Sequence, residues 1–120
     1  MYKLIIAGGR DFCDIQLLTN EVIKVLRGYR PSEVEIVSGG ARGADKLGEI
    51  FAESNNCPLT IFLPDWDKYG NSAGIRRNAD MVNYADACIV FWDGKSTGTK
   101  STIKFAEKKG ILLKVIRYEG

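Results

Sequence analysis

Apolar residues fall in five short, nearly continuous runs, separated by stretches where they recur every three or four positions. The runs are Tyr2–Ala7, Val34–Ser38, Pro58–Leu63, Asp86–Trp92 and Leu112–Tyr118. Short runs of this kind, closed by Gly, Pro or Asp, predict strands covered on both faces. Between the first two, Asp14–Arg27 carries Leu17, Leu18, Val22, Val25 and Leu26 at helical spacing. Asp14 is placed to cap its first turn, and Gly28 and Pro31 to end it. Gly43–Glu53 predicts a second helix with Leu47, Ile50 and Phe51 inward. Ala73–Tyr84 predicts a third, with Ile75, Ala79, Met81 and Val82 on its apolar face, and Thr99–Lys109 a fourth, with Ile103, Phe105 and Ala106 inward and Gly110 ending it. Pro64 to Asn71 reads as a loop.

Strands that alternate with helices predict an α/β fold. The expected architecture is a single domain over residues 1–120, a Rossmann-like, doubly wound parallel sheet of five strands in the order 3-2-1-4-5, with helices on both faces. Such sheets bind ligands outside the carboxyl ends of their strands, near the switch between the first and fourth strands. Three glycine-rich corners lie on that edge: Gly8-Gly9-Arg10-Asp11, Ser38-Gly39-Gly40-Ala41-Arg42-Gly43-Ala44-Asp45, and Asp93-Gly94-Lys95-Ser96-Thr97-Gly98-Thr99. Glycine lets backbone approach a phosphate, and a helix N-terminus offers free N–H groups. Arg10 and Arg42 add guanidinium groups suited to bidentate phosphate contacts, and Ser96 and Thr99 add hydroxyls. The segment from Asp65 to Asn78 starts on the same edge, with Trp66 and Tyr69 able to stack on a base and with Arg76, Arg77 and Asn78 opening a helix. The competing reading makes the corners ordinary tight turns, with Trp66 packed on the sheet edge and the arginines solvated.

Composition narrows the chemistry. There is no histidine, which removes the commonest general base and transition-metal ligand. The three cysteines are scattered and odd in number, which argues against a disulfide framework and fits a reducing, cytoplasmic setting. Apolar residues make up 45% and charged residues 27%, with a net charge of +2, so any attraction for nucleic acid or membrane must be local. No run approaches the length of a membrane span. Neither the Walker A pattern nor GxGxxG is present. Of the edge carboxylates, Asp45 suits the helix dipole or a ribose hydroxyl, and Asp93 can order the Gly94 corner. Pairs of these aspartates can hold Mg2+ beside phosphates, but their spacing carries no metal signature. No metal or cofactor beyond a nucleotide-type ligand is assigned.

Together the three corners, the Ala73-Gly74-Ile75-Arg76-Arg77-Asn78 stretch with Met81, and Ala85-Asp86 leading to Phe91-Trp92 resemble the YspA-type branch of the SLOG superfamily along the whole chain. The resemblance implies a Rossmann-like pocket for a nucleotide or nucleotide-derived molecule, in a protein that senses, sequesters or processes it. Relatives include the Lonely Guy phosphoribohydrolases and the DNA-processing protein of natural transformation. The phosphoribohydrolases use a glutamate in a Gly-Gly-x-Gly-Thr-x-x-Glu corner; here Thr102, or Ser101 or Ile103, takes its place. The leading expectation is therefore a binder of a small nucleotide-derived ligand. Contacts are expected from Gly8, Gly9, Arg10, Gly39, Gly40, Arg42, Gly43, Asp45, Trp66, Tyr69, Arg76, Arg77, Asn78, Gly94, Ser96, Gly98 and Thr99. The second expectation is an N-glycosidic hydrolase using Asp45 or Asp93, and the third a DNA-binding or protein-interaction module. Low net charge and the lack of a basic stripe weigh against nucleic acid as partner. Pairing of related proteins through helices makes a homodimer an open expectation.

Overall fold

The two-residue period of the strands splits the apolar residues between two cores. A computed structural model describes residues 1–119. In β1 (Tyr2–Gly8), Leu4 and Ile6 face one core and Ile5 and Ala7 the other. The same alternation runs through β2 (Val34–Ser38), where Val34 and Ile36 oppose Val37, and through β4 (Ala87–Trp92), where Ala87, Ile89 and Phe91 oppose Cys88 and Val90. Helices α1 (Ile15–Val25) and α2 (Ala44–Ser54) close the first core with Leu18, Val22, Phe51 and Ala52. Helices α4 (Ala73–Tyr84) and α5 (Thr97–Lys109) close the second with Met81, Val82, Ile103 and Ala106. Burying an aliphatic side chain contributes about 1.5–3 kcal/mol, so the two-sided pattern dictates a three-layer sandwich.

With β3 (Leu59–Ile61) and β5 (Leu112–Arg117), the strands form one parallel sheet in the order β3-β2-β1-β4-β5, as the sequence predicts. β1 is central, pairing Leu4 with Ile36 on one side and with Ala87 on the other. Its neighbours β2 and β4 end beside it, which places the first, second and third glycine corners along one edge. Among the described residues no helix is long and apolar enough to cross a membrane.

Three details differ from the expectation. The 64–71 stretch is not a loop: Asp65 caps a short helix α3 (Trp66–Tyr69), accepting the Lys68 N–H at 3.1 Å, and a 3-10 turn Gly70–Ser72 leads into α4. The Pro64-Asp65 pair that stops β3 is also a helix start signal. Ile50 is 49% exposed, not inward. α2 lies so close to β1 that a Cβ on Gly48 would stand 2.9 Å from Ile6, so the small Gly48 and Ala52 face the sheet and Ile50 turns away. Ile75 is 53% exposed because the buried face of α4 is made by Ala73, Asn78, Met81 and Val82, and Ile75 lies off it.

The first two corners pack backbone against backbone. Gly43, the residue preceding α2, has φ 81°, and a Cβ there would overlap the Gly9 carbonyl oxygen. The next residue, Ala44, donates its N–H to that same carbonyl at 3.1 Å. Gly43→Ala combines an unfavourable φ with a backbone clash and is expected to lower stability by about 3 kcal/mol. Urea unfolding followed by tryptophan fluorescence measures this; a change below about 1 kcal/mol would mean that the corners are not locked together.

Candidate functional site

The strand ends open into a crevice of three adjoining parts. A small deep cavity of about 90 Å³ lies under Ala41 and is lined by Asp45, Arg77, Asn78, Thr99 and Thr102. A larger hollow of about 740 Å³ runs past Arg42, Asp93, Thr97 and Gly98. A groove of about 400 Å³ runs past Gly40, Arg77, Leu63, Pro64 and Trp66. Arg10 lines all three. The crevice sits at the junction between β1 and β4, where the sheet order reverses.

Asp45 is the buried charge of the site, only 5% exposed in the first turn of α2. Its Oδ2 accepts the Ala41 N–H at 3.2 Å, closing the glycine corner on itself. Burial lifts its carboxyl from the ordinary value near 3.8 to about 6; the Ala41 amide, the Arg77 guanidinium and the Gly8 amide oppose the rise, and Glu49 adds to it. This value sits where a carboxyl can exchange protons at neutral pH.

Arg77 and Asn78 tie α4 to the edge. Arg77 donates Nη1 to the Gly39 carbonyl and Nε to Asn78 Oδ1 at 2.8 Å. Asn78 donates Nδ2 to the Gly98 carbonyl at 3.2 Å and to Ser101 Oγ at 2.9 Å. It is buried and acts as a strut between α4 and α5 as much as a lining residue. Burial lowers the Arg77 pKa, Asp45 opposes that, and Arg10 adds to it. Gly39 lies between the two charges: a Cβ there would stand 2.8 Å from both Arg77 Nη1 and Asp45 Oδ2.

The corner amides are less free than glycine-rich turns suggest. Gly40 N–H goes to Ser38 Oγ at 3.1 Å, and Ala41 N–H to Asp45. In the third corner Asp93 accepts the N–H groups of Lys95 and Ser96, both at 2.8 Å, and those bonds hold its carboxyl below the usual range. Asp93 thus orders the Gly94 corner, and its carboxylate fills part of that corner's anion nest. Ser96 caps α5 by accepting the Thr99 N–H at 3.5 Å. The Thr97 and Gly98 amides come ahead of the first intrahelical bond, Lys100 N–H to the Ser96 carbonyl, and have no acceptor within the helix.

The arginines are different. Among the described residues the ion pairs are Lys24–Glu21, Arg30–Glu33, Lys46–Glu49 and Lys114–Glu21, so Arg10, Arg42 and Arg77 have no carboxylate at ion-pairing distance there. Trp66, 54% exposed, forms one bank of the groove with Leu63. Tyr69 and Arg76 lie outside the lining: the Arg76 guanidinium sits over the Tyr69 ring at 4.4 Å, and its Nε donates to Ser72 Oγ at 3.3 Å. Gly94 is covered by Arg117, which also lies over Trp92 at 5.4 Å. Gly8 and Gly9 bring β1 against Phe91, and Gly9 lines the larger hollow.

The residues expected at the site therefore divide. Gly8, Gly9, Arg10, Arg42, Arg77, Asp45, Asn78, Ser96, Gly98, Thr99, Gly39, Gly40 and Trp66 line the crevice, whereas Tyr69, Arg76, Gly43 and Gly94 pack beside it. Leu63, Pro64 and Thr102 line it without belonging to the expected set. Leu63 and Pro64 follow β3 on the carboxyl edge, and that position alone is a signal for them; Thr102 reaches the site only through the helical turn after Thr99.

Asp45 also makes stability depend on pH. A carboxyl with a raised folded pKa binds more protons folded than unfolded, so stability falls as pH rises from about 4 to about 6. The loss is roughly 3 kcal/mol and is complete above that window. Asp45→Asn keeps an acceptor for the Ala41 N–H and carries no charge. It is expected to melt roughly 10 °C higher than the parent at pH 8 and at about the same temperature at pH 4. Equal destabilisation at both pH values would show that the carboxylate is paired rather than penalised.

Residues 2–69 match the family model YAcAr, described as the YspA, cpYpsA-related SLOG family. The Gene 61 protein of Mycobacterium phage D29 is 33% identical over 117 residues, covering 92% of this chain and 93% of that one. Among solved structures, the DNA processing protein A (DprA) of Streptococcus pneumoniae superposes with a TM-score of 0.74 at 19% identity, over 96% of this chain and 50% of that one. The protein TM1055 superposes at 0.68 and 18% identity, over 94% and 72%. The chain spans about half the length of DprA, and at these identities both structures show the shared fold alone. The matching model over the first three strands, joined by a phage relative alike over nearly its full length, places the chain in the YspA, cpYpsA-related SLOG family.

Proposed function

We propose that the crevice binds a nucleotide or nucleotide-derived anion and that the protein acts as a sensor or sequestering module for it. One observation carries the reading: among the described residues, Arg10, Arg42 and Arg77 converge on one crevice, and Arg10 and Arg42 have no carboxylate at ion-pairing distance, while Arg77 feels the charge of Asp45. Guanidinium groups held on a rigid edge match phosphate geometry and need an anion to complete them. Trp66 and Leu63 beside them supply an apolar bank for a base. Because the corner amides are partly committed, the arginines rather than a glycine nest carry phosphate recognition, with Thr97 and Gly98 as the amides that remain.

The test is calorimetry against AMP, ADP, NAD, a cyclic dinucleotide and a single-stranded oligonucleotide. At least one mononucleotide or dinucleotide is expected to bind, with Arg10→Ala or Arg42→Ala weakening it by roughly 10- to 100-fold and Trp66→Ala by roughly 10-fold. Binding of the oligonucleotide alone, with a steep salt dependence, would move the assignment to nucleic acid. No binding across the panel would remove the nucleotide reading.

A second reading has its own observation. Asp45 is a buried carboxyl at the base of the crevice with its pKa raised to about 6, the condition of a carboxylate that accepts or stabilises a proton in N-glycosidic hydrolysis. Asp93 is held ionised by two amides and is the weaker candidate. Under this reading a bound nucleotide releases free base, at a rate rising as pH increases through about 6, and Asp45→Asn lowers that rate by about 100-fold or more. Chromatography of the incubated ligand decides: intact nucleotide after long incubation leaves the binding role alone.

A further inference from the structure

Tyr118 follows β5 at the far edge of the sheet, outside the residues the family model matches. Its N–H is held by the Trp92 carbonyl at 3.1 Å, which fixes where its ring falls. The ring stands edge-on to Phe12 with centroids 4.8 Å apart, and Phe12 stacks on Phe91 at 4.7 Å. The hydroxyl lies directly over Gly9, where any Cβ would overlap it, and donates to Asp11 Oδ1 at 2.6 Å. Burial and the Asp11 carboxylate push the phenol pKa up, so it remains a donor at neutral pH.

Asp11 matters because of its neighbours. It follows Arg10 in sequence and lines the same hollow as Arg10 and Arg42, yet it pairs with neither. A carboxylate that shares a hollow with two guanidinium groups free of ion pairs is a candidate partner for either of them. The Tyr118 hydroxyl gives Asp11 a different partner, and Tyr118 lines a separate hollow with Asp11, Phe12 and Cys13 rather than the one that holds the arginines.

We propose that Tyr118 is a positioning residue that keeps the Asp11 carboxylate turned from Arg10 and Arg42, and so keeps the crevice cationic for an anionic ligand. The ligand part of this inference rests on the nucleotide-binding reading above; the side-chain rearrangement does not. Without the hydroxyl, Asp11 swings to the arginines and competes with the ligand as an internal anion.

The test is a double-mutant cycle with ADP as probe, read by calorimetry. Tyr118→Phe is expected to weaken ADP binding about tenfold, while Asp11→Asn alone, which removes a carboxylate from the same hollow, is expected not to weaken it. The Tyr118→Phe/Asp11→Asn double variant is expected to return to within threefold of the parent. Full affinity in Tyr118→Phe, or no recovery in the double variant, overturns the proposal. The second readout needs no ligand: arginine Nε–H resonances are compared across the four proteins. A new shifted Arg10 or Arg42 signal in Tyr118→Phe that vanishes in the double variant supports the rearrangement. If the parent fails to bind ADP but that signal appears, the latch stands and the choice of ligand falls; unchanged arginine signals in Tyr118→Phe sink the latch whatever the ligand does.

Discussion

The contact of Gly43 and Ala44 with the Gly9 carbonyl is the constraint from which the rest of the edge follows. Two strand-to-helix corners, each a flexible glycine turn alone, are locked together where no side chain fits. That contact fixes the start of α2 relative to β1. It therefore fixes Asp45 in the first turn of α2 beneath the corner, and Arg10 in the turn that leaves β1. The close approach of Gly48 to Ile6 continues the same packing down the helix. Glycine serves here to bring backbones together more than to cradle a ligand.

The cost of that packing falls on Asp45. A carboxyl pressed between a helix start and a closed corner loses water, and the Ala41 and Gly8 amides with the Arg77 guanidinium do not fully replace it. Evicting the charge would be simple in a purely structural turn, since Asn offers the same acceptor. A buried acid whose proton is held to about pH 6, in a cavity it shares with Arg77 and Arg10, is costly to folding and is the kind of group found where function is expected. Fold and site thus pull in opposite directions at one residue, which is where function is expected to show.

The fold was legible because its signals are local and repeated. Alternation within Leu4-Ile5-Ile6-Ala7 and Cys88-Ile89-Val90-Phe91 serves two cores at once, and only a sheet covered on both faces uses every position. The edge that holds the crevice follows from the strand order and from the glycine corners that close the strands. What could not be read were facts that depend on how closely elements approach. Ile50 looked inward by spacing, but small residues on the neighbouring face of α2 drew that side to the sheet. The helix at Trp66 hid in a segment dominated by stop signals. The commitment of the Gly40 and Ala41 amides to Ser38 and Asp45, and the pairing of Arg76 with Tyr69, belong to side-chain geometry that no spacing encodes.

The division between amides and arginines bears on how such a crevice would recognise the anion proposed for it. An amide nest has a fixed shape and is permanently available; here the second corner engages two of its N–H groups internally, and Asp93 occupies two in the third. Cationic side chains can be neutralised by any nearby carboxylate, so their availability must be maintained by where the aspartates are held. Asp45 is held by Ala41, Asp93 by Lys95 and Ser96, and Asp11 by Tyr118. Three acids line the crevice, each engaged by a protein donor other than an arginine. The positive face of the site is therefore set as much by the partners given to its acids as by the number of its cations.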